Sequence, residues 1–335
     1  MSQPQPNPSP APLLAVDDLT VTVPSAAAPD GRAAVVRRFS MRLERGEMVA
    51  LVGESGCGKT LTALALIGLL PAGVAVGGGS IRLAGAGELT ALDEGGWVRL
   101  RGARVAMIFQ EPLSALNPRL TIGYQLCETL RRHRRLRGAA ARREAVRLLQ
   151  RIAMPDAGRR LRSYAHQLSG GQRQRAMIAL ALAGEPDLLL ADEPTTALDV
   201  TIQAQVLALI DELRRELGLA VLLISHDLGV VAGCCERVLV MYAGQVVEEA
   251  PAEDLFRRPA HPYTRALLDA LPVIGRRGEL RGIPGSVPQP GRLPPGCAFA
   301  PRCAEAVDRC RRQPPRLVPL AGGRLSRCLL HEEQP

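Results

Sequence analysis

The chain has 335 residues, 47% of them apolar and 22% charged, which is enough apolar content for a packed core and excludes wholesale disorder. Its formal charge is +9 with only 3% aromatic residues, which argues against a protein that binds single strands by stacking bases. No apolar run reaches the ~18 residues of a spanning helix, and the opening MSQPQPNPSP has no basic segment before an apolar one, so the chain reads as cytosolic, with about two domains.

Residues 1–12 are rich in Pro, Ser and Gln and are expected to be a disordered tail. Strand-like runs follow at 13–23 and 33–52. The run 47–52 leads into GESGCGKT at 53–60, and residues 59–70 are apolar with helical spacing. Strand, glycine turn and helix in that order are the setting of a phosphate loop. Gly53, Gly56 and Gly58 let the backbone wrap phosphates, with the N–H groups around Glu54, Ser55, Cys57 and Leu61 close by. Lys59 brings a mobile point charge and Thr60 a hydroxyl for Mg²⁺. Of 42 basic residues Lys59 is the single lysine. A thiol beside it at a helix start, Cys57, is expected to have a lowered pKa and to react readily.

Further along, 105–109 is a buried strand ending at Gln110, and 112–166 is helical, with one long pattern over 125–151. Its arginine-rich run at 131–144 reads as a solvated helix face, with an anionic surface contact as the alternative. LSGGQRQR at 168–175 starts a helix with Ser169 as its cap, followed by Gly170, Gly171 and Gln172. LLLADEP at 188–194 carries Asp192 and Glu193 to the end of an apolar strand, where ligands bind in open parallel sheets. Asp192 suits Mg²⁺ and Glu193 an attacking water. Asp199 lies just beyond. LLISHD at 222–227 ends another buried strand at His226, and 238–241 is one more. Strands alternating with helices imply a parallel sheet.

Residues 281–335 hold ten prolines and four cysteines but one aromatic residue. Cys297, Cys303, Cys310 and Cys328 lack the close C-x2-C pairs of zinc ribbons, and four thiolates serve zinc or an iron–sulfur cluster alike. A segment with so few large apolar residues needs such a staple. Its distance along the chain from the phosphate-binding elements suggests a purely structural role.

Taken together, the six motifs around residues 53–60, 110, 169–172, 192–193, 199 and 226 resemble the nucleotide-binding subunit of an ABC transporter. The C-terminal stretches 244–272 and 282–303, with HPYT at 261–264, are similar to those of oligopeptide/dipeptide importer ATPases. The resemblance implies a RecA-like α/β P-loop core with an antiparallel β edge and an inserted helical subdomain (about 112–166) within an ATPase domain at 13–255. A cysteine-rich extension follows at 256–335. It implies ATP bound by residues 53–61, Gln110 and Asp192, with Mg²⁺ on Thr60, Gln110 and Asp192. Catalysis falls to Glu193, His226 and Gln110, and Ser169, Gly170, Gly171, Gln172 and Asp199 face the nucleotide of a partner subunit. It further implies a four-iron four-sulfur cluster, rather than zinc, on the four cysteines. The partners are a paralogous ATPase, two permease subunits and an extracytoplasmic solute-binding protein, at the cytoplasmic face of the inner membrane, with no nucleic acid. The alternative is a soluble ABC-class ATPase acting on nucleic acid. The aromatic residue that usually stacks on adenine is missing between Leu13 and Arg38, leaving Val23, Val36 or Arg37 at that place.

Overall fold

A computed structural model describes residues 11–28, 30–196, 198–271 and 282–332. Most of the expected tail, residues 1–10, and Ala197 lie outside the described residues.

Two sheets organise the chain. The smaller is antiparallel, in the order β2 (Arg32–Leu43), β1 (Leu14–Pro24), β4 (Ala75–Leu83), β5 (Gly87–Glu88). The larger runs β11 (Val318–Leu320), β12 (Arg324–Ser326), β10 (Gln245–Pro251), β9 (Arg237–Tyr242), β3 (Met48–Val52), β8 (Ala220–Ser225), β7 (Leu188–Asp192), β6 (Val105–Ile108). From β9 to β6 the neighbours are parallel. These strands are buried on both faces, which explains their unbroken apolar sequences. In β3 the pleat divides the residues between two cores. Val49 and Leu51 join Leu14, Leu66 and Ile81 between the sheets, whereas Met48, Ala50 and Val52 face Leu126, Leu149 and Ile178 on the helical side.

The helix after the phosphate loop is shorter than expected, Lys59–Leu66. It stops before Gly68, whose left-handed φ and close approach to the Trp97 ring leave no room for a side chain. The single helix expected over 125–151 is two, Ile122–Arg134 and Gly138–Arg151. Arg135, at φ 57°, turns the chain between them, and Leu126, Leu130, Ala145 and Leu149 share one core. Among the described residues, no helix is long and apolar enough to cross a membrane.

The C-terminal segment is joined to the main sheet, because β12 pairs antiparallel with β10. Buried Glu248 of β10 accepts the N–H groups of Ala260 (2.7 Å) and His261 (2.8 Å). His261 then caps the helix Pro262–Asp269, its Nδ1 accepting the Tyr263 N–H at 3.0 Å, with Pro262 at the first helical position. Burial pushes the His261 pKa down to about 3, so the ring is neutral.

Candidate active site

The phosphate loop joins β3 to the helix Lys59–Leu66, and two of its glycines are sterically required. A Cβ on Gly53 would stand 2.2 Å from the Met241 carbonyl oxygen, and one on Gly58 3.1 Å from that of Val35, both at positive φ. Lys59 is buried, and its Nζ donates to the carbonyls of Gly53 (2.7 Å) and Glu54 (3.1 Å). Cys57 departs from expectation. It is 1% exposed, and burial raises its pKa more than Lys59 lowers it, so it is a packed thiol rather than a reactive one.

Three neighbouring parallel strands deliver the next group. Gln110 follows β6, Asp192 ends β7 with Glu193 next after it, and His226 follows β8. Glu193 has a left-handed φ of 46°, and its N–H is held by the Ile224 carbonyl at 2.9 Å. Its carboxylate accepts from Gln110 Nε2 (2.8 Å) and Thr196 Oγ1 (2.9 Å), and its other oxygen lies 3.1 Å from Nδ1 of half-exposed His226. Thr196 was not singled out from sequence; a hydroxyl three residues after Glu193 was its only signal. Asp192 accepts from Thr60 Oγ1 at 3.3 Å. Burial pushes its pKa up to about 6, with the Thr60 hydrogen bond opposing and Glu193 reinforcing the rise. The oxygens of Thr60 and Asp192 are hard donors suited to Mg²⁺. Gln110 uses its amide N–H on Glu193, which leaves its carbonyl oxygen for a cation.

Ser169 and Gln172 form a reciprocal capping box at the start of the helix Gly170–Leu182. Asp199 caps the helix Val200–Leu217 by accepting the Ile202 N–H at 2.9 Å. The two helix starts lie side by side: a Cβ on Gly171 would stand 3.1 Å from Ile202 and one on Gly170 3.7 Å from Leu198. Among the described residues, no hydrogen bond links Ser169, Gln172 or Asp199 to the phosphate loop. Val200 beside them is 82% exposed. Of the candidates for the adenine position, Val36 is fully buried and Arg37 is tied to the Ala243 carbonyl at 2.8 Å.

Cys297, Cys303, Cys310 and Cys328 line one small cavity with His261, Phe299 and Glu305. None is in a disulfide. Burial pushes Cys328 up to about 11, and the other three cysteines add to the rise. Among the described residues, no three His, Cys, Asp or Glu side chains close on a single metal ion. Distance along the chain from the phosphate loop is not distance in space for this segment. Arg302, next to Cys303, pairs with Glu54 of the loop at 2.6 Å.

Comparison with known proteins adds two family matches. Residues 36–196 match the ABC transporter family, and residues 247–310 the oligopeptide/dipeptide transporter, C-terminal region. The chain is 51% identical to the oligopeptide transport ATP-binding protein AppD of Bacillus subtilis, over 87% of its own length and 89% of that protein. It is 47% identical to OppD of Salmonella typhimurium, named likewise, over 96% and 95%. Among solved structures, a bacterial ABC transporter cassette determined as a dimer superposes with a TM-score of 0.62 at 26% identity, covering 71% of this chain and 98% of that one. The same cassette has been determined in a post-hydrolysis state bound to ADP and phosphate, at the same TM-score of 0.62.

Proposed function

Because the chain belongs to the ABC transporter ATP-binding proteins, in the branch that carries the oligopeptide/dipeptide transporter C-terminal region, we propose that it binds and hydrolyses ATP to power import of di- and oligopeptides. The observation that carries the mechanism is the convergence of Gln110, Thr196 and His226 on the Glu193 carboxylate, one residue from Asp192 and its partner Thr60. Lys59 and the loop N–H groups bind the β- and γ-phosphates. Thr60, Asp192 and the Gln110 carbonyl would hold Mg²⁺, which would supply charge neutralisation at the phosphates. Glu193, aimed by its three neighbours, orients water and accepts its proton, while the ring of His226 beside it is placed to contact the same water and the γ-phosphate.

The roles of Ser169–Gln172 and Asp199 lie in trans. Their exposed position beside Val200 supports a pair of ATPase subunits, this chain and a paralogue, with each nucleotide bound between one phosphate loop and the other subunit's Ser169 turn. The turn after Gln110 exposes Leu113, and the start of the helix Ile122–Arg134 exposes Tyr124, which supports contact with two permease subunits at the cytoplasmic face of the membrane. A solute-binding protein on the far side would deliver the peptide. Nothing in the structure favours the nucleic-acid alternative.

The four cysteines are read as ligands of a four-iron four-sulfur cluster. Four unpaired thiols brought to one cavity from across the segment support the reading. A single zinc ion is less suited, since it needs its ligand atoms within about 2.3 Å of one point. The cluster would contribute folding energy to the segment. ATPase activity of the chain assembled with its permeases, stimulated by peptide-loaded binding protein, tests the function, and iron and sulfide analysis after anaerobic purification tests the cluster. Activity indifferent to peptide would sink the transport reading.

A further inference from the structure

Glu54 belongs to the phosphate loop, yet two of its polar groups are committed to the C-terminal segment. Its N–H donates to the Tyr263 hydroxyl at 2.9 Å. Its carboxylate accepts both arms of the Arg302 guanidinium, at 2.6 and 2.9 Å. Arg302 is deeply placed, its side chain 4% exposed. Its Nε donates to the Pro284 carbonyl at 2.8 Å, and the guanidinium stands 5.7 Å from the centre of the Tyr242 ring. Tyr242, Tyr263 and Phe299 form one aromatic cluster, with ring centres 4.6–5.3 Å apart. The third group of Glu54, its carbonyl, accepts from Lys59 Nζ at 3.1 Å. One residue therefore joins the segment to the phosphate-binding lysine by three separate groups. A forked guanidinium–carboxylate pair fixes orientation as well as distance.

We propose that the C-terminal segment acts on the nucleotide site through Arg302 and Tyr263, positioning residues that hold Glu54 and through it set where Lys59 stands. The inference rests on the ATPase reading and deepens it. A loop held in its binding shape loses less freedom when phosphate arrives, so affinity depends on the clamp. Arg302 lies between the cavity-lining residues Phe299 and Cys303, so the state of that cavity is transmitted to the loop by the same path. Linkage makes the effect reciprocal: nucleotide must steady the segment as much as the segment steadies nucleotide.

The test uses the full chain, with ATP affinity from calorimetry and folding from thermal melting without nucleotide. Tyr263→Phe keeps the ring in the aromatic cluster and removes only the acceptor. Arg302→Met keeps the stem and removes the fork; Arg302→Lys returns the charge without the fork. Arg302→Met should weaken ATP binding on the order of tenfold, within the roughly 5–150-fold typical of coupled sites. Arg302→Lys should recover part of that loss, and adding Glu54→Gln to Arg302→Met should cost little more, as for two members of one pair. In the wild-type chain ATP should slow hydrogen exchange across residues 282–332, and in Arg302→Met this protection should shrink. A wild-type chain that binds no ATP overturns the functional reading itself. A wild-type chain that binds, beside folded Tyr263→Phe and Arg302→Met variants of equal or higher affinity, overturns this inference alone.

Discussion

Glu193 is aimed rather than merely present. Gln110 and Thr196 donate to one oxygen and His226 approaches the other, so the carboxylate has one orientation before any water reaches it. Gln in its place is nearly isosteric and can keep its carbonyl oxygen toward Gln110 and Thr196, but it cannot take a proton. Glu193→Gln should bind ATP as the wild type does and lose about 10²–10⁴-fold in kcat; near wild-type turnover would remove Glu193 from the catalytic role. Cys57 makes the opposite kind of case. At sequence level its place beside Lys59 suggested an activated thiolate, but 1% exposure costs the charged form more than one lysine returns. Its folded pKa is raised, so the thiolate fraction at neutral pH falls below that of a free cysteine and grows only as the medium becomes alkaline. Iodoacetamide at pH 7 should therefore label Cys57 in the native chain far more slowly than in the denatured chain, as read by mass spectrometry. Equal labelling of the two states would restore the activated thiol.

At the scale of elements, the parallel strands were legible because burial on both faces leaves runs such as MVALV and AVLLIS with no polar interruption. The motif residues that end those strands were legible for the same reason: each follows an apolar run by one or two positions. What joins the C-terminal segment to them was not legible. β11 and β12 are three residues each, too short to carry a period, and β12 is defined by its pairing with β10. Nothing in VVEEAP marks Glu248 as an interior residue, although it is fully buried and accepts two backbone N–H groups at the start of the segment. Gln at that position would keep one acceptor and turn an amide donor toward an N–H. Glu248→Gln should cost about 1–3 kcal/mol, the range for an unsatisfied buried group. The loss should fall first on the C-terminal segment: limited proteolysis should release it at temperatures where the main sheet still resists. Release of both together, at an unchanged melting point, would show that Glu248 does not hold the segment.

On the scale of the whole molecule, the proposed function divides the site into two groups of residues. The phosphate loop and the Glu193 group lie at the ends of β3, β6, β7 and β8, whereas the Ser169 turn stands with Asp199 and exposed Val200, without a hydrogen bond to the loop among the described residues. Sequence alone listed both groups in order but held no information on their separation, because motif order is one-dimensional and the helices between 122 and 182 set the distance. Two subunits facing each other would bring the two groups together. Gly170 offers a clean way to test this. Its Cβ position meets only ordinary contact, 3.7 Å from Leu198, and an aspartate in the first turn of a helix suits the helix dipole. Gly170→Asp should therefore fold as the wild type does and leave the chain's own phosphate loop intact. Across the subunit contact, however, it places a carboxylate against the partner's γ-phosphate. Two unit charges 4 Å apart repel by about 4 kcal/mol at an effective dielectric of 20, so closure of the pair around ATP should fail. ATP binding by the variant alone should persist, while ATPase activity in the assembled transporter falls to the level of unassembled subunits. Full activity of that assembly would mean that the Ser169 turn does not meet a partner's nucleotide.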